Sequence, residues 1–366
     1  MQKKIIISGG GTGGHIFPAV SIAGEIKRRE TDADILFVGA DGGMELTVVP
    51  KYNFPIESVW ISGIHRQFTV RNILRNLLFP IKMISSMLKA GRIVKRFQPQ
   101  AVVGVGGYAS GPVGRVAANR GIPLFLCEQN AYPGLVNRWL AGKANKILLG
   151  NAAAGKYFDA KKTVVTGNPI RSFTPMNKAA ACAKMGLDPK RPVVLSLGGS
   201  LGALTLNESL RLHAQDFLDA GVQLIWQCGK RYYESLRPQV PAHDDLHLMA
   251  FIDDMAAAYA AADLVISRAG GSTISEVIAL SKPSILVPSP NVAEDHQTKN
   301  ALSLAEPGAA VMVKDVDARE KLVSTALAVL QDEKQLAALK RNIEAMEKHD
   351  AAKEIVDAIY AAKGWT

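Results

Sequence analysis

Residues 58–127 contain no aspartate and no glutamate. The same stretch holds Arg66, Arg71, Arg75, Lys82, Lys89, Arg92, Lys95, Arg96, Arg115 and Arg120, so the chain's net charge of +10 resides there and elsewhere acid balances base. Such asymmetry calls for an anionic partner of that region: nucleic acid, a phosphate-bearing substrate or acidic lipid headgroups. Cysteine is also scarce. Cys127, Cys182 and Cys228 lie far apart with no CxxC spacing, which excludes a disulfide framework and a cysteine metal site and predicts reduced, buried thiols of a cytoplasmic protein. No apolar run reaches the roughly 18 residues of a membrane-spanning helix. The N-terminal "MQKKIII" is too short for the core of a signal peptide.

What is present is a chain of 366 residues, 48% hydrophobic and 21% charged, a length and composition that suit two globular domains. Short apolar runs alternate with helical stretches from end to end, the pattern of parallel sheets covered by helices on both faces. The first series is "KIIISG", "DILFVGA", "AVVGVGG", "PLFLCEQ", "KILLG" and "TVVTGNP". After a charged, Pro-containing stretch it restarts as "PVVLSLGGS", "VQLIWQCG", "LHLMAF", "DLVISRAGG", "PSILVPS" and "AAVMVKD". The expectation is an α/β protein of two Rossmann-like, doubly wound domains facing a central cleft: residues 1–168, a linker at 169–190, and residues 191–345. Residues 346–366 form a helix expected to pack back on the N-terminal domain.

Four glycine-rich turns fall where strands should end: "SGGGTGGH", "GVGGYASGP", "SLGGSLGA" and "SRAGGSTISE". Gly9, Gly11 and Gly14 satisfy G-x-G-x-x-G, yet the second strand ends "VGAD" without an acid placed for a ribose, and no GK[ST] follows the glycines, which weighs against a dinucleotide fold and a P-loop. The remaining choice is between backbone N–H groups that bind an anion at a helix N-terminus and a simple tight turn. In the fourth loop, Gly271, Ser272 and Thr273 offer donors to a diphosphate and Glu276 offers a carboxylate to a ribose diol. Thr273 to Glu276 also matches a capping box. His15 ends the first loop, where the helix macrodipole favours a neutral imidazole suited to general base work.

The motifs "GGTGGHIFPA", "GVGGYASGP", "CEQNAYPGLVNR", "TGNPIR", "LGGSLGA", "FIDDMAAAYAAADLVISRAGGSTISE" and "DHQTKNA" together resemble the MurG family, the family 28 N-acetylglucosaminyltransferases that make lipid II, from Ile5 to about Ala301. The resemblance implies a GT-B fold and an inverting transfer of N-acetylglucosamine from UDP-GlcNAc to the C4 hydroxyl of undecaprenyl-diphospho-N-acetylmuramoyl-pentapeptide, lipid I. It implies His15 or Glu128 as the base. It puts Thr12, Gly13, Gly14, Asn130, Arg171, Ser200, Ile252, Gly271, Ser272, Thr273, Glu276, His296 and Gln297 at UDP-GlcNAc, and Gly106, Gly107, Tyr108 and Asn137 on the acceptor side. With no DxD at a strand end, no cofactor and no protein-held metal are expected. Proteins of cell-wall synthesis and division are the implied protein partners.

A lipid acceptor gives the acid-free stretch a reason. Ile73, Leu74, Leu77, Leu78 and Phe79, set among Arg71, Arg75 and Lys82, are expected to touch an anionic membrane, placing the protein peripherally on the cytoplasmic face. Pro80 is expected to separate two helices, and Ile84, Met87 and Leu88 of the second are expected in the core. The rival readings are a GT-B enzyme with another nucleotide sugar or a lipid acceptor such as diacylglycerol, and a nucleic-acid binder. The stretch has few interleaved aromatics for base stacking, which counts against the latter.

Overall fold

The chain is described by a computed structural model over residues 2–63, 77–170, 173–199, 201–292 and 295–365. The apolar runs form two wholly parallel sheets. In the first, strands β1 (Lys4–Ser8), β2 (Asp34–Ala40), β3 (Ile56–Val59), β4 (Ala101–Gly104), β5 (Leu124–Glu128), β6 (Lys146–Leu149) and β7 (Thr163–Val165) lie in the order β3-β2-β1-β4-β5-β6-β7. In the second, β8 (Val193–Leu197), β9 (Gln223–Gln227), β10 (Leu246–Met249), β11 (Leu264–Ser267), β12 (Ser284–Leu286) and β13 (Val311–Met312) lie in the order β10-β9-β8-β11-β12-β13.

The unbroken apolar character of the strands follows from burial on both faces. Ile5 and Ile7 of β1 pack in one core cluster with Ile16 and Ile22, whereas Ile6 packs in another with Ile93 and Val113. Val193, Leu195 and Leu197 of β8 likewise share one cluster while Val194 turns to the other. Only β3, "IESV", escapes the sequence reading: it is a short edge strand with polar Glu57 and Ser58 at its centre.

The chain divides into two compact units, residues 1–171 with 349–366, and residues 172–348. The helix Ala351–Lys363 lies against the helix Gly13–Arg29, where Arg29 Nη1 donates to Asp357 Oδ1 at 2.7 Å. Its Ile355, Val356 and Ile359 join the cluster around Ile5. The stretch 169–190 is not a bare linker. Within it the helix Lys178–Met185, capped by the Asn177 side chain, buries Ala181 and Cys182 in the core of the second unit. The alanine-rich run "KAAACAKM" has a narrow apolar face that reads as solvated until that packing is seen.

Both sheets reverse their winding once, between β1 and β4 and between β8 and β11. At such a switch point the flanking loops splay apart beyond the carboxyl ends of the strands and leave a crevice for a ligand. All four glycine loops follow these four strands.

Candidate active site

At the first switch point the two loops pack backbone to backbone. A Cβ on Gly107 would sit 2.4 Å from the Gly10 carbonyl oxygen, and Gly107 has φ +79°, so glycine is required there twice over. The helix Gly13–Arg29 starts after Thr12 without a side-chain cap. In its first turn, His15 Nδ1 lies 3.1 Å from the Gly10 carbonyl oxygen and 3.3 Å from Thr12 Oγ1. A carbonyl only accepts, so Nδ1 carries a proton, and in the neutral ring Nε2 holds the lone pair. The ring edge bearing Nε2 lies over Gly106, where a Cβ would come within 2.8 Å of that nitrogen. Tyr108 is exposed on the same loop.

Glu45, which the sequence reading passed over, reaches into the first loop. Its Oε2 accepts the Gly11 N–H at 2.9 Å and its Oε1 the Ala40 N–H at 2.8 Å. The signal was the run "GADGGMEL": glycines that clear space and then an acid. Gln129 was also missed; its side-chain amide donates to the Val105 carbonyl at 3.0 Å and so braces the second loop.

Glu128, at the end of β5, is 2% exposed. Its Oε1 accepts from the Asn130 backbone at 3.0 Å and side-chain amide at 3.3 Å, and its Oε2 from the Gly134 backbone and Asn137 Nδ2, each at 2.9 Å. Burial pushes its carboxyl above the usual range, against the pull of these donors. Four donors from residues 130–137 hold the Glu128 side chain and shape this loop.

In the second unit the loop after β8 packs on the loop after β9. A Cβ on Gly202, whose φ is +79°, would lie 2.2 Å from the Cys228 carbonyl oxygen. The helix Gly271–Ala279 has Gly270 as its N-cap with no side-chain hydrogen bond, so Thr273 is inside the helix and the capping box suggested by the sequence does not form. Ser272 Oγ is buried without a partner at this N-terminus. Glu276 is buried, and its Oε2 accepts from the Tyr259 hydroxyl at 2.8 Å. Gln297 Oε1 accepts the Ser289 N–H at 2.9 Å, which fixes the amide and turns its NH2 group away from that contact. His296 opens the same helix, His296–Ala305. The Ile252 side chain is in the core, so its backbone alone can meet a ligand. Arg268, at the end of β11, was not singled out from sequence; it pairs with Asp315 and donates to the Val287 carbonyl at 3.1 Å.

Arg171, Ser200, Arg71, Ile73, Leu74 and Arg75 lie outside the described residues. The helix Phe79–Phe97 carries Pro80 in its first turn, where a missing N–H is harmless. One expectation for it fails. Ile84 is 62% and Leu88 60% exposed, and with Leu77 at 67% and Ile81 they form a bare apolar stripe. Ser86, Ala90, Ile93 and Val94 occupy the buried face, with Phe79, Met83 and Met87 partly buried beside them. At 100° per residue, positions 77, 81, 84 and 88 fall opposite that face. The three cysteines are buried, and Cys127 is pushed up to about 12 by burial and by the neighbouring Glu128. Among the described residues no group of three or more His, Cys, Asp or Glu is gathered to hold a metal ion.

Two doubly wound units, each with glycine loops and a helix N-terminus without a side-chain cap at its switch point, define the two-domain architecture of nucleotide-sugar enzymes. The Glycosyltransferase family 28 N-terminal domain matches residues 5–149 and the family's C-terminal domain residues 193–355; the chain belongs to glycosyltransferase family 28. It is 46% identical, over 98% of both chains, to the UDP-N-acetylglucosamine--N-acetylmuramyl-(pentapeptide) pyrophosphoryl-undecaprenol N-acetylglucosamine transferase of Parabacteroides distasonis. The protein of the same name from Bacteroides fragilis is 47% identical over 95% of this chain and 93% of its own. Among solved structures, the crystal structure of Acinetobacter baumannii MurG matches with a TM-score of 0.77 and 29% identity over 98% of this chain and 99% of that one.

Proposed function

We propose that the chain transfers N-acetylglucosamine from UDP-GlcNAc to the C4 hydroxyl of undecaprenyl-diphospho-N-acetylmuramoyl-pentapeptide, giving lipid II and UDP. The observation that carries this reading is the placement of all four glycine loops at the two switch points, together with the names of the relatives. The second unit takes the donor. The N-terminus of the helix Gly271–Ala279 and the orphaned Ser272 hydroxyl suit the diphosphate. Glu276, held by Tyr259, suits the ribose diol, Gln297 and His296 the sugar, and the Ile252 backbone the uracil. In the first unit Thr12, Gly13 and Gly14 suit the donor sugar, and Gly106, Gly107 and Tyr108 the acceptor.

In the reaction the acceptor hydroxyl oxygen bonds to the anomeric carbon while the bond from that carbon to the diphosphate breaks. The electron pair leaves with UDP and the hydroxyl proton passes to His15 Nε2. Helix N-terminal N–H groups stabilise charge growing on the leaving diphosphate. Incubation with radiolabelled UDP-GlcNAc and a lipid I analogue tests the proposal: labelled disaccharide product and UDP are expected, and turnover of another UDP-sugar in preference would overturn it.

The bare stripe supports a peripheral site on the cytoplasmic membrane face. It runs on into a groove of about 380 Å³ bordered by Leu88, Arg92, Lys95, Val116 and Arg120, so apolar contact and positive charge lie end to end on one surface. A helix of this kind lies in the headgroup region, each nearby cation adding about 1 kcal/mol on anionic lipid. No helix among the described residues is long and apolar enough to cross a membrane.

A further inference from the structure

The contact between Glu45 and the first glycine loop has a specific geometry. The N–H that Glu45 Oε2 accepts belongs to Gly11, and the carbonyl that faces His15 Nδ1 belongs to Gly10. These are the two ends of one peptide group. A carboxylate therefore sits at one end of a planar amide and an imidazole at the other, at 2.9 Å and 3.1 Å.

We propose that Glu45 is a positioning residue that acts on His15 through the Gly10–Gly11 peptide. The proposal rests on the reading of His15 as the base and adds what prepares it. A carboxylate that accepts the amide hydrogen polarises the amide, so its carbonyl oxygen becomes a stronger acceptor for the Nδ1 proton. That bond holds the tautomer with the lone pair on Nε2 and keeps the ring turned, as an orienting carboxylate does when it touches a histidine directly. No proton crosses the peptide; only its polarisation and its orientation change.

Three features set Glu45 apart from an ordinary buried acid. It is 1% exposed, and both its oxygens accept N–H groups, the pattern of a carboxylate. A Cβ on Gly10, Gly39 or Gly43 would come within 2.2, 2.4 and 2.4 Å of its side chain, so glycines from two loops clear the volume it fills. The first turn of the helix Gly13–Arg29 has no acid of its own, and Glu45 brings negative charge to the loop that opens it. A carboxyl group in a buried place, where an apolar side chain of similar size would cost less, invites a reason beyond stability.

Glu45→Gln in the full-length protein is the test, with steady-state kinetics and 15N NMR of the His15 ring. Glutamine offers one acceptor oxygen, and its NH2 group opposes an N–H. The expected result is a fall in kcat of about tenfold to hundredfold, a fraction of what a general base contributes. The KM for UDP-GlcNAc stays within about twofold, and the His15 ring, a single Nδ1–H tautomer in the parent protein, becomes a mixture. An unchanged tautomer and unchanged kcat overturn the proposal, as does a fall in kcat with the tautomer intact, which marks a purely structural residue. Should Glu45→Gln fail to fold, the parent protein still decides: an Nε2–H tautomer of neutral His15 overturns the relay. Full turnover by His15→Ala overturns the base reading instead, and the ring spectrum separates the two failures.

Discussion

At the switch point of the first sheet, the Gly11 N–H is answered from within the protein by Glu45. At that of the second sheet, the helix Gly271–Ala279 begins uncapped and the buried Ser272 hydroxyl has no partner. The sheets share their winding about the switch point, but the loop after β1 takes in Glu45, five residues beyond the end of β2, whereas the loop after β8 packs on the backbone of Cys228 and Gly229 beyond β9. A loop that has already taken in a carboxylate is a poor place for a diphosphate and a good place to hold a histidine, whereas a helix N-terminus with an orphaned hydroxyl beside it suits an anion. The proposed function thereby divides related scaffolds into a proton-handling side and a nucleotide-handling side.

The sharpest way to break this contrast is His15→Ala. Turnover should fall by about 10²–10⁴, the usual contribution of a general base, while UDP affinity by calorimetry remains that of the parent; an equal loss of UDP binding would erase the distinction between the sides. Next in size are Gly107→Ala and Gly202→Ala, one on each side. Each forces a positive φ on alanine and a backbone overlap, and each should cost about 2–4 kcal/mol in chemical denaturation. A much cheaper Gly107→Ala would mean that the first pair of loops is not nested as described.

Ser272→Ala should weaken UDP binding by about 1 kcal/mol, roughly fivefold, with kcat at saturating donor and stability almost unchanged, since the hydroxyl makes no internal bond. Glu128→Gln probes the remaining acid through pH. Burial raises the folded-state pKa of Glu128. Its contribution to stability is therefore complete below the unfolded carboxyl pKa of about 4.3 and is lost as pH rises through the folded value. The thermal stability gap between parent and variant should narrow from acid towards neutral pH, and a gap that widens would show that the four donors outweigh burial. Smallest in its effect on the isolated protein is Leu88→Glu. Turnover of a soluble acceptor analogue and Tm should barely move, while sedimentation with anionic vesicles falls; unchanged binding by both Leu88→Glu and Leu78→Glu would remove the membrane reading of the helix.

Strand positions and the two-unit organisation were legible because doubly buried strands are apolar at every residue, as in "KIIIS" and "PVVLSL". The polar edge strand "IESV" was not, since neither alternation nor a continuous run marks it. Among the site residues, glycine loops were legible from spacing alone. The partners of Glu128, Glu276 and Gln297 were not, because Asn137, Tyr259 and Ser289 reach them through the fold. Glu45 is the instructive omission: an acid for the ribose was sought at the end of β2, and the acid that follows it instead faces the loop of β1. Ile84 and Leu88 show the opposite error. Helical spacing identifies an apolar face, but it does not say whether protein or lipid covers it.

Amide hydrogen exchange with and without UDP tests the division of labour most directly. The account predicts that UDP slows exchange in residues 198–203 and 270–276 and leaves residues 9–12, held through Gly11 by Glu45, as they were. Protection of residues 9–12 by UDP, with none at 270–276, would contradict it.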